Sequence, residues 1–297
     1  MRTRGWVAFV SLSVIWGTSW IAAGAVAGHI PPFYAAGARS LLCVILLVPV
    51  ILLRGIEWPR GRALCATLIL SITMIVLPVA LLVWAERHLS AATSAILFAA
   101  TPLLTAGLMP GFEGRQAPPQ AMAAMLFGMA GIAGATKGGL SLAQTAGAVA
   151  VFLAVMSAAA SAIYARQELR NINPLVSTAL LFAGATVLFT LASLGMERGQ
   201  PVEWNAYTTG SLVFLGGVAG AVGFSLYLWL LQEQEAYQVV TVQWCEPLVG
   251  MIEGALLLRE PISGLQSMGA VVTLGSLMVV MRTHFSDGDP IKLEVTE

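Results

Sequence analysis

Three charged side chains fall inside apolar runs of this chain: Arg39, Glu246 and Glu253. A charge at the centre of a membrane helix costs about 2.5–3.5 kcal/mol on insertion scales, so each needs a partner, water or a function. Gln243, Glu246, Gly250 and Glu253 recur at i, i+3, i+7 and i+10, which places all four on one helical face. That face cannot look at lipid; it belongs against a packed interface or a watery cavity. A carboxylate there can carry a proton or meet a cationic group, with Glu246 the first choice for ion coupling and Glu253 the second. The bland alternatives are a structural acceptor beside Pro247 for Glu246, a structural partner to a neighbouring helix for Glu253, and snorkelling to the interface for Arg39.

Aromatic residues add an apolar lining. Trp16 and Trp20 share a helical face with Ser19 nearby, while Tyr164, Phe224 and Tyr227 lie in later runs. Aromatic walls with a few polar tips suit an amphiphilic organic solute better than a bare ion. Trp6, Trp58, Trp84 and Trp204 sit near run ends and read most simply as interfacial belt residues. The expected solute-binding set is therefore Trp16, Ser19, Trp20, Arg39, Tyr164, Tyr227, Gln243 and Glu246. Pro78, Pro102 and Pro247 are expected as helix breaks that supply hinges or cavity-lining backbone. No catalytic residue, metal or cofactor site is expected, because His29, His88 and His284 are scattered, the cysteines Cys43, Cys65 and Cys245 are isolated, and no glycine-rich phosphate loop appears.

The elements that position these groups follow from composition. The 297 residues are 58% hydrophobic and 10% charged, with a mean hydropathy of +0.83, against about 25% charged in ordinary soluble domains. A soluble enzyme is excluded, and a net charge of zero without a basic tract argues against nucleic acid. A bilayer core about 30 Å thick takes about 20 apolar residues per helix. Ten such runs are expected: Trp6 to Val26, Phe33 to Leu53, Leu64 to Trp84, Ser90 to Met109, Gln120 to Ala135, Gln144 to Ala165, Pro174 to Gly195, Tyr207 to Leu231, Val239 to Leu258 and Leu265 to Met281. With the N-terminus inside, ten Lys and Arg fall in inner segments and four in outer loops, which puts both termini in the cytoplasm.

Internal repetition is also visible. Trp84 precedes Pro102, and Trp229 precedes Pro247, with both pairs offset by 145. Gly128 and Gly134 match Gly269 and Gly275 at an offset of 141. Between the first pair, Ala91 to Thr93 falls opposite Ala236 to Gln238 as a short polar joint. Five spans per half is an odd number, so the halves enter the membrane in opposite senses as an inverted-topology repeat. The halves are expected at 1–138 and 139–285, with a polar cytoplasmic tail at 286–297.

Val14-Ile15-Trp16-Gly17-Thr18 in the first run, Tyr227-Leu228-Trp229 through Cys245-Glu246-Pro247-Leu248, and Leu258-Arg259-Glu260-Pro261-Ile262-Ser263 before a glycine-rich last run resemble the EamA family of the drug/metabolite transporter superfamily. The resemblance covers nearly the whole chain and is strongest from Gly210 to Met281. It implies an all-α bacterial inner-membrane permease of ten spans in two five-helix repeats, with spans one, three, four, six, eight and nine around a central cavity. After Pro102, the first half lacks a clean match to Arg259-Glu260-Pro261. Three function classes compete. A secondary or facilitative transporter of small organic solutes such as amino acids or related metabolites, with export the direction implied by the resemblance, explains the repeat and the polar face together. A multidrug or cationic-compound permease fits the same residues, and an intramembrane enzyme or scaffold explains fewer of them. The expected partners are a small-molecule solute and the bilayer, with proton coupling and oligomeric state both open.

Overall fold

Apolar runs with little periodic polarity form helices that are hydrophobic all round, and the structure is built from them. The computed structural model describes residues 3–85, 87–89, 94, 97–133, 142–257 and 264–282. Among the described residues all regular structure is helical: α1 (Thr3–Val26), α2 (Pro32–Leu53), α3 (Arg62–Ala85), α4 (Thr101–Glu113), α5 (Pro119–Ala133), α6 (Leu142–Glu168), α7 (Pro174–Met196), α8 (Ala206–Glu233), α9 (Val242–Leu257) and α10 (Gly264–Arg282). A single turn, Ala236–Val239, precedes α9. Helices α1, α2, α3, α6, α7 and α8 are long and apolar enough to cross a membrane. The others are shorter, at 13, 15, 16 and 19 residues for α4, α5, α9 and α10. The joint at Ala91 to Thr93, Gly134, the segment from Leu258 to Ser263 and the 286–297 tail lie outside the described residues.

The burial pattern reverses that of a water-soluble protein. Val10, Ile45, Phe127 and Leu191 are exposed, whereas Ser40, Thr67, Thr105 and Ser225 are buried. The buried hydroxyls donate to the carbonyl four residues back, as Ser40 Oγ does to Ala36 (2.7 Å), Thr105 Oγ1 to Thr101 (2.8 Å) and Ser225 Oγ to Ala221 (2.6 Å). These hydroxyls thereby find acceptors within their own helix, as a medium without water favours.

Helix ends are set locally. Pro32 and Pro174 occupy first-turn positions where a missing N–H is free, and Asn205 closes a capping box with Thr208 at the start of α8. Gly114 ends α4 in the left-handed conformation (φ 66°), with its N–H bonded to the Pro110 carbonyl. Helix α2 packs mainly on α7, α5 on α10, α1 on α9 and α8, and α6 on α4 and α3, while α2 also meets α8 and α7 meets α3.

Contacts between helix termini define two ends of the bundle. At one, the loop after α1 meets the loop after α7: the Glu203 N–H bonds the His29 carbonyl, and His29 Nδ1 lies 2.8 Å from Glu203 Oε2. Glu197, buried just past α7, accepts the N–H groups of Phe33 (2.8 Å) and Tyr34 (2.9 Å) in the first turn of α2. A carboxylate there satisfies two orphan donors and faces the positive end of the helix dipole. At the other end, α3, α4, α6 and α8 meet in a network of ion pairs. Glu197→Ala is expected to cost about 1–2 kcal/mol of stability; a thermal-shift measurement in detergent should show the melting midpoint falling by several degrees, with Glu197→Gln intermediate because its amide oxygen retains one acceptor.

Candidate functional site

Two close helix crossings set the site. A Cβ on Gly17 would overlap the side chain of Val249, so α1 and α9 approach only because that position has none. On the opposite side, a Cβ on Gly216 would lie 2.6 Å from the Arg39 carbonyl oxygen, which fixes α8 against α2. These crossings bring Trp16, Ser19 and Trp20 from α1, Arg39 from α2, and Gln243 and Glu246 from α9 around one space.

The remaining walls come from helices that widen at mid-length. Helix α3 is π-helical over Ser71–Val76 and α8 over Phe214–Phe224. In α3 the cause is visible two residues on: Pro78 has no N–H for the Met74 carbonyl, and its ring crowds that oxygen. Both segments present carbonyls to side-chain donors. Ser157 Oγ donates to the Thr73 carbonyl (2.6 Å), and Trp16 Nε1 donates to the Ala219 carbonyl (3.3 Å). Met74 and Ile75 from the first segment, with Ala219, Gly220 and Phe224 from the second, line the space.

The result is a cavity of about 300 Å³. Its apolar side is an aromatic cluster in which Trp16 lies 5.2 Å from Phe224 and 5.1 Å from Tyr227 between ring centroids, and Phe182 meets Phe224 edge-on at 5.0 Å. Its polar side holds Arg39, Gln243 and Glu246. Trp20 Nε1 donates to Glu246 Oε2 at 2.8 Å, and Ser19 Oγ donates to the Trp16 carbonyl at 2.6 Å. The Gln243 side-chain oxygen is buried without a hydrogen-bond partner.

Of the residues singled out in the sequence, Trp16, Ser19, Trp20, Arg39, Tyr227, Gln243, Glu246 and Pro78 line the cavity. Tyr164 packs against the main core instead. Glu253 shares the α9 face but is taken up by α1, accepting from Thr18 Oγ1 at 2.5 Å. Pro102 occupies the first turn of α4, so it marks a helix start, and Pro247 lies inside α9. Sequence reasoning missed Phe98, Phe182 and Met74 on the apolar wall. Phe98 carried a signal, standing 145 residues before Gln243; Phe182 and Met74 are apolar residues in apolar runs and carried none. Among the described residues no group of three or more His, Cys, Asp or Glu could hold a metal ion.

A helical bundle with apolar flanks and a solute-sized amphiphilic chamber defines a polytopic membrane protein of the small-molecule carrier type. The family model of the EamA-like transporter family matches residues 3–136 and 145–282, and the chain belongs to that family. It is similar to the uncharacterized inner membrane transporter YedA of Escherichia coli K12 (21% identical, covering 98% of this chain and 95% of YedA). It is also similar to Protein PagO of Salmonella typhimurium (22% identical, 82% of each chain). A Salmonella typhimurium protein named "Probable amino-acid metabolite efflux pump" is 24% identical over 94% of each chain. A solved crystal structure shares the fold, with a TM-score of 0.79 at 17% identity over 94% of this chain and 96% of that one. The protein is thus a multi-pass inner-membrane protein of a transporter family.

The α1–α9 crossing has a direct test. Gly17→Ala forces Val249 aside and is expected to cost about 1–3 kcal/mol, as overpacking does, whereas Gly24→Ala enters open space in the same helix and should hold or raise the melting midpoint in detergent.

Proposed function

We propose that this chain is a secondary transporter that moves a small organic solute, such as an amino acid or related metabolite, by alternating access through the central cavity, with export the working direction. The observation that carries this reading is an amphiphilic chamber placed among seven helices, α1, α2, α3, α6, α7, α8 and α9, while one end of the bundle is bolted by ion pairs. Arg166 bridges Glu113 (3.1 Å) and Glu235 (3.0 Å), its Nε donates to the Gln234 carbonyl (2.8 Å), and Arg115 adds a second pair to Glu235 (3.2 Å). Arg62 pairs with Glu168 beside them. This end also gathers Arg54, Arg60 and Arg170, which supports its assignment to the cytoplasm. Ala23, Arg39 and Leu215 line the cavity toward the opposite end, where α1 finishes and α2 and α8 begin. On this reading the cavity is closed inside and turned outward.

Ten spans in two inverted halves, 1–138 and 139–285, supply the mechanics. Several observations support this repeat. Exchanging α1–α5 with α6–α10 maps the principal helix pairs onto one another: α1 with α9 becomes α6 with α4, and α2 with α8 becomes α7 with α3. The two π segments fall in the exchanged helices α3 and α8. Trp244 Nε1 donates to the Ala99 carbonyl at 2.8 Å, a contact between residues separated by the repeat offset of 145, as expected for a pair on the two-fold axis. The family model also matches the chain in two successive stretches.

Glu246, held by Trp20 on the cavity wall, is the group we assign to the proton or to a cationic part of the solute. Uptake and counterflow of pooled labelled amino acids in proteoliposomes, with and without a pH gradient, test this: saturable flux in the wild type should be lost or uncoupled from pH in Glu246→Gln. Intact, pH-sensitive flux in that variant would demote Glu246 to a structural acceptor. The ion-pair network makes a second prediction. Arg166→Gln leaves Glu113 and Glu235 without their shared cation, a loss of roughly 1–3 kcal/mol, and hydrogen exchange should quicken at Gly114 to Ala117 and Gln234 to Val240 while the helices around Glu197 keep their protection.

A further inference from the structure

Two charged side chains enter the cavity wall, and they are satisfied unequally. Glu246 accepts the Trp20 indole N–H at 2.8 Å. Arg39 has no such partner: among the described residues no carboxylate pairs with it, and its Nε is buried without a hydrogen bond. Arg39 and Glu246 thus share a cavity without forming an ion pair.

Arg39 is not placed to escape to water along the helix. It stands seven residues into α2, roughly 10 Å at 1.5 Å per residue, and its backbone is pinned where Gly216 of α8 crosses it. The side chain lines the cavity rather than the lipid-facing side. A guanidinium offers only donors, and in a low-dielectric interior an uncompensated one is costly. Gln243 can offer only a neutral oxygen. What Arg39 lacks is a carboxylate within pairing distance, and the geometry of a guanidinium matches the two oxygens of one.

We propose that Arg39 is the docking point for a carboxylate on the transported solute, with the hydrocarbon part of that solute against Trp16, Phe182, Phe224 and Tyr227. This rests on the transporter reading of the same cavity and narrows it: a cargo must bring an anionic group, and a purely cationic amphiphile is not carried. Occupancy of Arg39 also leaves the Trp20–Glu246 hydrogen bond intact, so the solute binds by filling an empty valence rather than by breaking a made one.

The first test does not require knowing the cargo. In a Cys65→Ser background, Ala23→Cys places a thiol on the cavity wall, while Cys43 and Cys245 stay buried. The anionic sulfonatoethyl methanethiosulfonate should react about tenfold faster than the cationic trimethylammonium reagent, relative to the ratio at a free thiol. Adding Arg39→Gln should return that ratio to the free-thiol value, and Arg39→Lys should keep most of it, which separates charge from folding. An unchanged ratio in Arg39→Gln overturns the proposal. The second test uses leucine counterflow in proteoliposomes with two competitors of matched carbon skeleton, 4-methylpentanoate and isoamylamine. The carboxylate should inhibit and the amine should not, with inhibition lost in Arg39→Gln; inhibition by the amine alone overturns the proposal. If leucine is not carried at all while the reagent preference and its Arg39 dependence hold, the anion site stands and the amino-acid reading of the cargo fails.

Discussion

The constraint on which this structure depends is that hydrocarbon offers no hydrogen bonds. Each helix must satisfy its own backbone, and a departure from regular α-helix is tolerated only where protein or cavity covers it. The π segments of α3 and α8 are such departures, and both line the cavity. In α3 the irregularity is forced by Pro78. In α8 it coincides with Gly216, Gly217, Gly220 and Gly223, which remove the side chains that would keep α1 and α2 away; a Cβ on Gly223 would stand 2.8 Å from the Trp16 indole nitrogen. Trp16 therefore reaches the Ala219 carbonyl because glycine opens the path. The same contact seats its ring on Phe224 and Tyr227, so the satisfied backbone and the aromatic wall are one structure.

Charge obeys the same constraint. Apart from Arg39, Glu246 and Glu253, the charged groups described here gather at helix ends, where water is available. At one end of the bundle they are organised: one guanidinium, Arg166, ties α6 to the end of α4 and to the turn after α8. The positions related to Arg166, Glu113 and Glu235 by the offset of 145 are Ile21, Leu258 and Ser90, none of which carries charge. The three groups thus have no charged counterparts under that offset.

How much of this was legible in the sequence follows from which forces leave a local trace. Apolar runs are local, so most helices were legible nearly to their ends; the run Ser90 to Met109 is the exception, because α4 begins only at Thr101. The cost of a charge in a membrane is also local in effect, which is why Arg39, Gln243 and Glu246 could be singled out before any coordinates, while the choice between cavity, packed interface and, for Arg39, the membrane surface could not be made. Glu253 shows what periodicity leaves out: it shares the face of Glu246, but face-sharing does not specify depth, and one turn beyond Gly250 its neighbour is Thr18 of α1, the structural partnership that the sequence also allowed. Tyr164 shows the same limit. The apolar wall was hidden because Phe182 and Met74 differ from dozens of other apolar residues only in what lies opposite them. The π segments were half-visible: Pro78 announced a disturbance, but its form depends on Ser157 of α6 being ready to cover the Thr73 carbonyl.

The proposed repeat carries a further consequence for specificity. A cavity on a two-fold axis between equal halves would have walls of equal polarity, suited to a symmetric ligand. Here the scaffold keeps the relation while the side chains break it: the offset of 145 takes Arg39 to Gly184, Trp20 to Ala165, Gln243 to Phe98 and Glu246 to Thr101. Every charged group of the chamber therefore stands on the wall made by α1, α2 and α9, and the wall made by α3, α6 and the approach to α4 is left apolar. The π segments lie one in each half, and under the proposed alternation each half would move in the same way. Side chains in the chamber are free of that demand and diverge. An amphiphile with a charged head and a hydrocarbon body needs that divergence, since a symmetric pocket would bind it in two opposed orientations and pass neither with preference. Motion is set by what the halves share, and the cargo by what they do not.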